Sequence, residues 1–188
     1  MRRYRVKGSH VAQAKVVVDQ KLGVGSFARL ARRNGGDASW DGVTISDWYD
    51  VFVLHKVIGI VARETRSSVT NVATEVGRHN ALHDLKTIHR LFLRIAQPVR
   101  MLYFAPQLWH AYVEFGEPIT LKNELGAFAA KLANIPESLI DWVKGSSLGF
   151  IPTGIELAGG RVEKASITDA SASGDASSVS FEVNYHMK

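Results

Sequence analysis

The side chains best suited to chemistry crowd one stretch, from Ser68 to Gly116. His79 and His83 stand four residues apart, a spacing that sets two imidazoles on one helix face, and His89 follows further along. Neutral imidazole is a common metal ligand, so a metal centre is the sharpest reading of this group. A bound metal needs three or four converging ligands. The residues between the pair are Asn80, Ala81 and Leu82, with no HExxH motif, and only Glu75 and Asp84 offer carboxylates nearby. Hydrogen-bonded or surface histidines are the favoured reading, and no metal is expected. An enzyme built on these histidines with Asp84 is a minor alternative; the expectation is a non-enzymatic chain. Serine catalysis finds no support: Ser26 and Ser146 sit beside glycines, but neither follows an expected strand or stands in a G-x-S-x-G elbow. Gly23-x-Gly25 and Gly35-Gly36 do not form a phosphate loop. The pairs Asp47/Asp50 and Glu114/Glu117 read as exposed helix positions.

Aromatic residues carry more. Tyr103, Phe104, Trp109, Tyr112 and Phe115 cluster after Pro98, and Trp109 and Tyr112, three apart, can share a helix face. Plain core packing is the commonest role of any single aromatic. Taken together, Phe104, Trp109, Tyr112, Trp142 and Phe150 are the candidate wall of an apolar pocket between the late helices and the sheet, the usual form of a small-molecule site.

The elements that would position these groups follow from hydrophobic periodicity. Helices are expected over 9–22, capped by Ser9, and over 26–33, capped by Ser26. A broad apolar stripe predicts a buried helix opening at Ser46-Asp47 and running to about Arg63. Two helices follow, one from Ser67 or Ser68 to about Asn80, interrupted at Gly77, and one over 81–96 ended by Pro98. A helical turn over 99–104 and a helix over 106–115 come next. Strands are expected at about 118–122, 127–135, 161–168 and 178–186, with a helix over 137–148 between the strand pairs, restarting past Pro152 if it continues. Residues 169–177 read as a mobile hairpin loop, and residues 1–7 as a basic, flexible N-terminus. Helices first and strands later imply an α+β fold, with a helical layer on a small antiparallel sheet, in one domain spanning 1–188.

Composition narrows the function classes. The chain has 188 residues, 46% of them hydrophobic, enough for a substantial core. It has no cysteine, which removes disulfides, thiolate metal sites and cysteine nucleophiles, and suits a cytoplasmic setting. No apolar run is long enough for a membrane span, and no signal peptide is read. The net charge of +5 gathers at Arg2, Arg3, Arg5 and Lys7 and at Arg29, Arg32 and Arg33. Two short basic groups make a weak electrostatic stripe, so no nucleic-acid partner is expected.

Several features together carry a family resemblance. They are Val76-Gly77-Arg78, the helix ending at Pro98, Leu108-Trp109-His110-Ala111-Tyr112, Gly116, Pro136-Glu137-Ser138, the run Gly154 to Gly160 and the final Val-Asn-Tyr. From about Val6 onward the chain resembles a bacterial family of domains of unknown function. That family is similar to a superfamily of haem-nitric-oxide-binding sensors, 4-vinyl-reductase-type domains and TRAPP vesicle-tethering subunits. The resemblance implies a helical layer against an antiparallel sheet, often with a ligand cavity, and a role in binding or sensing. It makes His89 the place for a haem axial ligand. A haem sensor would also need a Tyr-x-Ser-x-Arg motif, which the chain lacks. The cysteines of the other two branches are missing as well. The expectation is a regulatory or sensory domain without cofactor, haem disfavoured, holding a small hydrophobic ligand or lipid noncovalently. A protein-interaction module or homodimer without ligand is the alternative.

Overall fold

The computed structural model describes residues 4–87, 97–173 and 177–187. It has the expected α+β architecture, a helical body against a four-stranded antiparallel sheet.

The chain opens with a strand, β1 (Arg5–Lys7), paired antiparallel with β2 (Trp48–Asp50). The expected flexible N-terminus is therefore corrected for residues 4–7. Val6 is fully buried, opposite Tyr49 and bridged to Val113, and Tyr4 packs edge-on against Phe52. The guanidinium of Arg5 grips the carboxylate of Glu114 with two bonds of 2.5 and 2.8 Å.

Helix α1 (Gly8–Leu22) buries Val11, Ala14, Val17 and Val18. It starts one residue before Ser9, whose side chain makes no cap. Helix α2 (Ser26–Arg33) takes its N-terminal bond from outside itself: Asp19 of α1 accepts from the Phe27 amide at 2.9 Å. A short 3-10 turn (Ala38–Trp40) wedges Trp40 between Phe27 and Tyr49.

Helix α3 (Val51–Glu64) begins five residues later than Ser46-Asp47 suggests. Residues 48–50 are taken by β2, and Asp50 caps the helix by accepting from the Phe52 amide at 2.7 Å. Helix α4 (Val69–Thr87) runs without a break through the boundary expected near Asn80, and the remainder of the helix expected over 81–96 lies outside the described residues. Gly77 does not break it. A Cβ there would stand 2.5 Å from the Ser146 carbonyl oxygen, so this glycine serves close packing.

Helices α5 (Pro98–Tyr103) and α6 (Ala105–Tyr112) form a pair with proline in each first turn. Then come β3 (Glu117–Glu124), β4 (Ala127–Ile135), α7 (Ile140–Leu157), β5 (Gly160–Ser171) and β6 (Ser177–Met187). The spatial order is β3-β4-β6-β5, so β3 and β5 are the edges. Helix α7 passes through Pro152, which lacks the amide of an internal turn. Its second half buries Thr153, Gly154 and Ile155, and that packing overrides the local break. The expected loop over 169–177 is shorter: Asp169, Ala170 and Ser171 pair with Ser180, Val179 and Ser178.

The approach of α4 to α7 fixes the interior. Gly145 and Gly149, one turn apart on α7, present bare backbone to α4. A Cβ at Gly145 would meet the Thr70 carbonyl oxygen at 2.3 Å, and one at Gly149 the Thr74 carbonyl oxygen at 2.1 Å. The two helices touch backbone to backbone there, as small residues permit.

Candidate functional site

Beside this contact, residues of α1, α4, α5, α6 and α7 line a partly open cavity of about 90 Å³. Met101, Leu102, Ala105, Leu108 and Ile151 supply aliphatic wall; Trp109, Tyr112, Trp142 and Phe150 supply aromatic wall; His10, Asn80 and Ser146 supply polar groups. Trp109 is held in place by its indole N–H, which donates to the Phe115 carbonyl at 2.7 Å. Tyr112 is stacked face to face on His10, with ring centroids 5.0 Å apart and planes 6° from parallel.

Of the five aromatic residues picked out from the sequence, the structure brings Trp109, Tyr112, Trp142 and Phe150 to one cavity. Phe104 does not line it. It lies at the end of α5, 38% exposed, edge-on to Tyr103. The cavity also sits inside the helical layer, not between helices and sheet as expected. A second void of about 60 Å³ does lie against β3 and β4, and it shares Ala105, Trp109, Ser147 and Ile151 with the first. His89, the candidate axial ligand, lies outside the described residues. His79 and His83 are both on α4, and among the described residues no three His, Asp or Glu side chains gather as a metal site.

His10, Asn80 and Ser146 were missed. Asn80 left a trace in the sequence: it falls four residues after Val76 and seven after Ala73, within their apolar stripe. A polar residue in such a stripe is either bonded in the core or faces a void. His10 and Ser146 left none, because their meeting depends on how α1, α4 and α7 pack.

Unsatisfied polarity distinguishes this cavity. The Asn80 Oδ1, Trp142 Nε1, Ser146 Oγ and both ring nitrogens of His10 are buried without a hydrogen-bond partner among the described residues. Asn80 and Trp142 are each only 2% exposed. Leaving a buried polar group unmatched costs about 1–3 kcal/mol, so native interiors rarely tolerate several together. The four residues that carry these atoms all line this one void.

Among the described residues the lining is uncharged, with no lysine, arginine, aspartate or glutamate. Burial lowers the His10 pKa to about 4, so the imidazole is neutral at pH 7. The Tyr112 hydroxyl is pushed up, first by burial and then by the charge of Asp84, and stays protonated. Asp84, fully buried behind His10, stands 3.8 Å from its Nε2, beyond hydrogen-bond length, so burial prevails on the imidazole. His83 Nδ1 lies 3.1 Å from the other Asp84 oxygen.

A depressed histidine pKa has a stability consequence. His10 binds a proton more readily in the unfolded chain, near pH 6.5, than in the folded one, near pH 4. Its contribution is complete above pH 6.5 and is lost as pH falls through about 4, on the order of 3 kcal/mol. Urea unfolding at steps between these pH values should show His10→Phe losing less stability than the wild type. Equal acid sensitivity in the two proteins would contradict the buried, neutral imidazole.

No protein-family model matches the chain, and no curated protein sequence matches it. Solved structures do. An Fe(II) unliganded H-NOX protein from K. algicida superposes with a TM-score of 0.75 at 13% identity, covering 97% of each chain. An oxygen-binding H-NOX domain related to soluble guanylate cyclases gives 0.68 at 12% identity, over 95% of this chain and 94% of that one. A third structure, described by modulation of heme redox potential through porphyrin distortion, gives 0.67 at 12% identity, over 95% and 99%.

This likeness bears against an expectation of no cofactor, so fit to a haem has to be judged on the residues themselves. Sites for drug-sized molecules occupy roughly 300–1,000 Å³, far above the about 90 Å³ of this partly open cavity. Among the described residues no cationic side chain lines it to meet propionates, and the one lining histidine is packed flat on Tyr112. The described residues do not fit the group. What the comparisons establish is architecture: this chain has the fold of the H-NOX domains.

Proposed function

We propose that this chain is a non-enzymatic, ligand-binding sensory domain that holds a small molecule noncovalently in the cavity between α1, α4, α5, α6 and α7. The observation that carries the reading is that four residues with buried, unmatched polar atoms, His10, Asn80, Trp142 and Ser146, line one cavity. The H-NOX fold supports it, since the oxygen-binding domain it resembles uses that architecture to hold a ligand. Ser146 and His10 line the cavity without a hydrogen bond between them, so no nucleophile is paired with a base there, which favours binding over turnover. Because α7 forms both a wall of the cavity and the layer on β5, a guest that spreads α4 from α7 would reach the sheet directly.

Ligand linkage gives the test. A ligand that binds only the folded state raises its melting temperature. Low-molecular-weight extract from the native host should raise the Tm of the wild type. It should leave unchanged the Tm of Ala105→Leu, which extends three carbons from the cavity wall. An equal rise in both proteins would place the binding elsewhere. Haem is the second reading that the fold favours, and hemin forms a separate arm. The wall residues predict no saturable Soret band; a stoichiometric one would overturn the non-haem assignment.

A further inference from the structure

Resting on the cavity as the ligand site, the geometry points to the chemical class of the guest: a small, neutral molecule carrying both a hydrogen-bond donor and an acceptor on a short carbon body, as in a primary amide. This differs from the purely apolar ligand or lipid that the aromatic residues alone suggest. Three observations carry it.

First, the unmatched atoms ask for both kinds of partner. The Trp142 indole N–H only donates, so it requires an acceptor. The Asn80 Oδ1 only accepts, so it requires a donor. The Ser146 hydroxyl and the neutral His10 imidazole can serve either role. A hydrocarbon would bury all of these atoms and satisfy none.

Second, the cavity rejects net charge. Among the described residues its wall has no fixed cation to hold an anion, and Asp84 behind His10 opposes one. The aromatic faces of Tyr112 and Phe150 attract cations. A cation would still have to reach Asp84 past the stacked His10 and Tyr112 rings.

Third, the volume is small. The cavity of about 90 Å³ is partly open to the surface, so the portion of a guest seated in it is a few heavy atoms in size.

Four molecules with the same Y-shaped, four-heavy-atom skeleton separate the alternatives: acetamide, acetate, acetamidinium and isobutene. Each is titrated into the full chain while the indole N–H resonance of Trp142 is followed by proton–nitrogen correlation spectroscopy. Acetamide should shift that resonance saturably, with at least tenfold tighter binding than the other three. In Ser146→Ala, acetamide should bind several-fold more weakly while isobutene is unaffected. Isobutene binding as well as acetamide would overturn the class but leave the ligand cavity standing. Tighter binding of acetamidinium or acetate would overturn the class in favour of a charged guest. No saturable response to any of the four would sink both this inference and the cavity reading beneath it.

Discussion

Replacing Gly149 by alanine should destabilise this protein strongly, as a methyl group driven into the backbone of a neighbouring helix. The new Cβ would lie 2.1 Å from the Thr74 carbonyl oxygen and 2.7 Å from the Arg78 amide nitrogen. Both are backbone atoms of α4 and cannot swing aside as a side-chain tip would. Overpacking typically costs about 1–3 kcal/mol, and an obstruction by backbone belongs at or above the top of that range. Domains of this size are stable by only about 5–15 kcal/mol, so the loss should be plain in a urea titration as a lower midpoint at unchanged slope. Gly59 provides the contrast. It lies inside α3 with nothing within 4 Å of its added Cβ, so Gly59→Ala should gain about 0.5–1 kcal/mol from helix propensity. Equal effects at the two sites would mean that α4 and α7 are not in backbone contact. The cavity would then lose its frame, because Gly77, Asn80, Trp142 and Ser146 hang from those two helices.

Deleting residues 1–7 should have a comparably large effect. The deletion removes β1, exposing the backbone of β2 that it pairs, and takes away the fully buried Val6, the ring contacts of Tyr4 and the Arg5–Glu114 clasp. Burying a valine side chain is worth roughly 1.5–3 kcal/mol, before the lost strand pairing is counted. Deleting residues 1–3 leaves all of those contacts in place and should change stability little. The measurement is the difference in unfolding midpoint between the two truncations. Similar midpoints would show that the first strand is dispensable.

These two regions also show what the sequence conceals. Helix α2 and strand β4 were legible to the residue, and α1 to within one, because apolar periodicity and flanking turn residues act locally. Strands β1 and β2 were not. Each is three residues long, and neither forms without a partner some forty positions away. Gly77 looked like an interruption of a helix for a similar reason. Its missing side chain accommodates Ser146, far along the chain, and reads locally only as a weak helix former. Pro152 was a strong local signal overruled by the buried face around it.

The site divides in the same way. Trp109 and Tyr112 share a face by spacing, and a wall of large aromatics announces itself in composition. Phe104 belonged to the same run but stands at the exposed end of α5, where one residue of phase separates the cavity from the surface. The polar lining was the illegible part. His10 and Ser146 come from opposite ends of the chain, and a single histidine or serine carries no mark of what it will face. Those are the residues that turn an aromatic pocket into one with a defined polarity.

The ligand claim is tested most directly by native mass spectrometry of the protein purified from its own host, wild type beside Ala105→Leu. The wild type should carry one small noncovalent mass that is released on denaturation, and the variant, with its cavity filled and its fold intact by circular dichroism, should carry none. A wild type with no bound mass, or a mass retained equally by the filled variant, would contradict the assignment of this cavity as the ligand site.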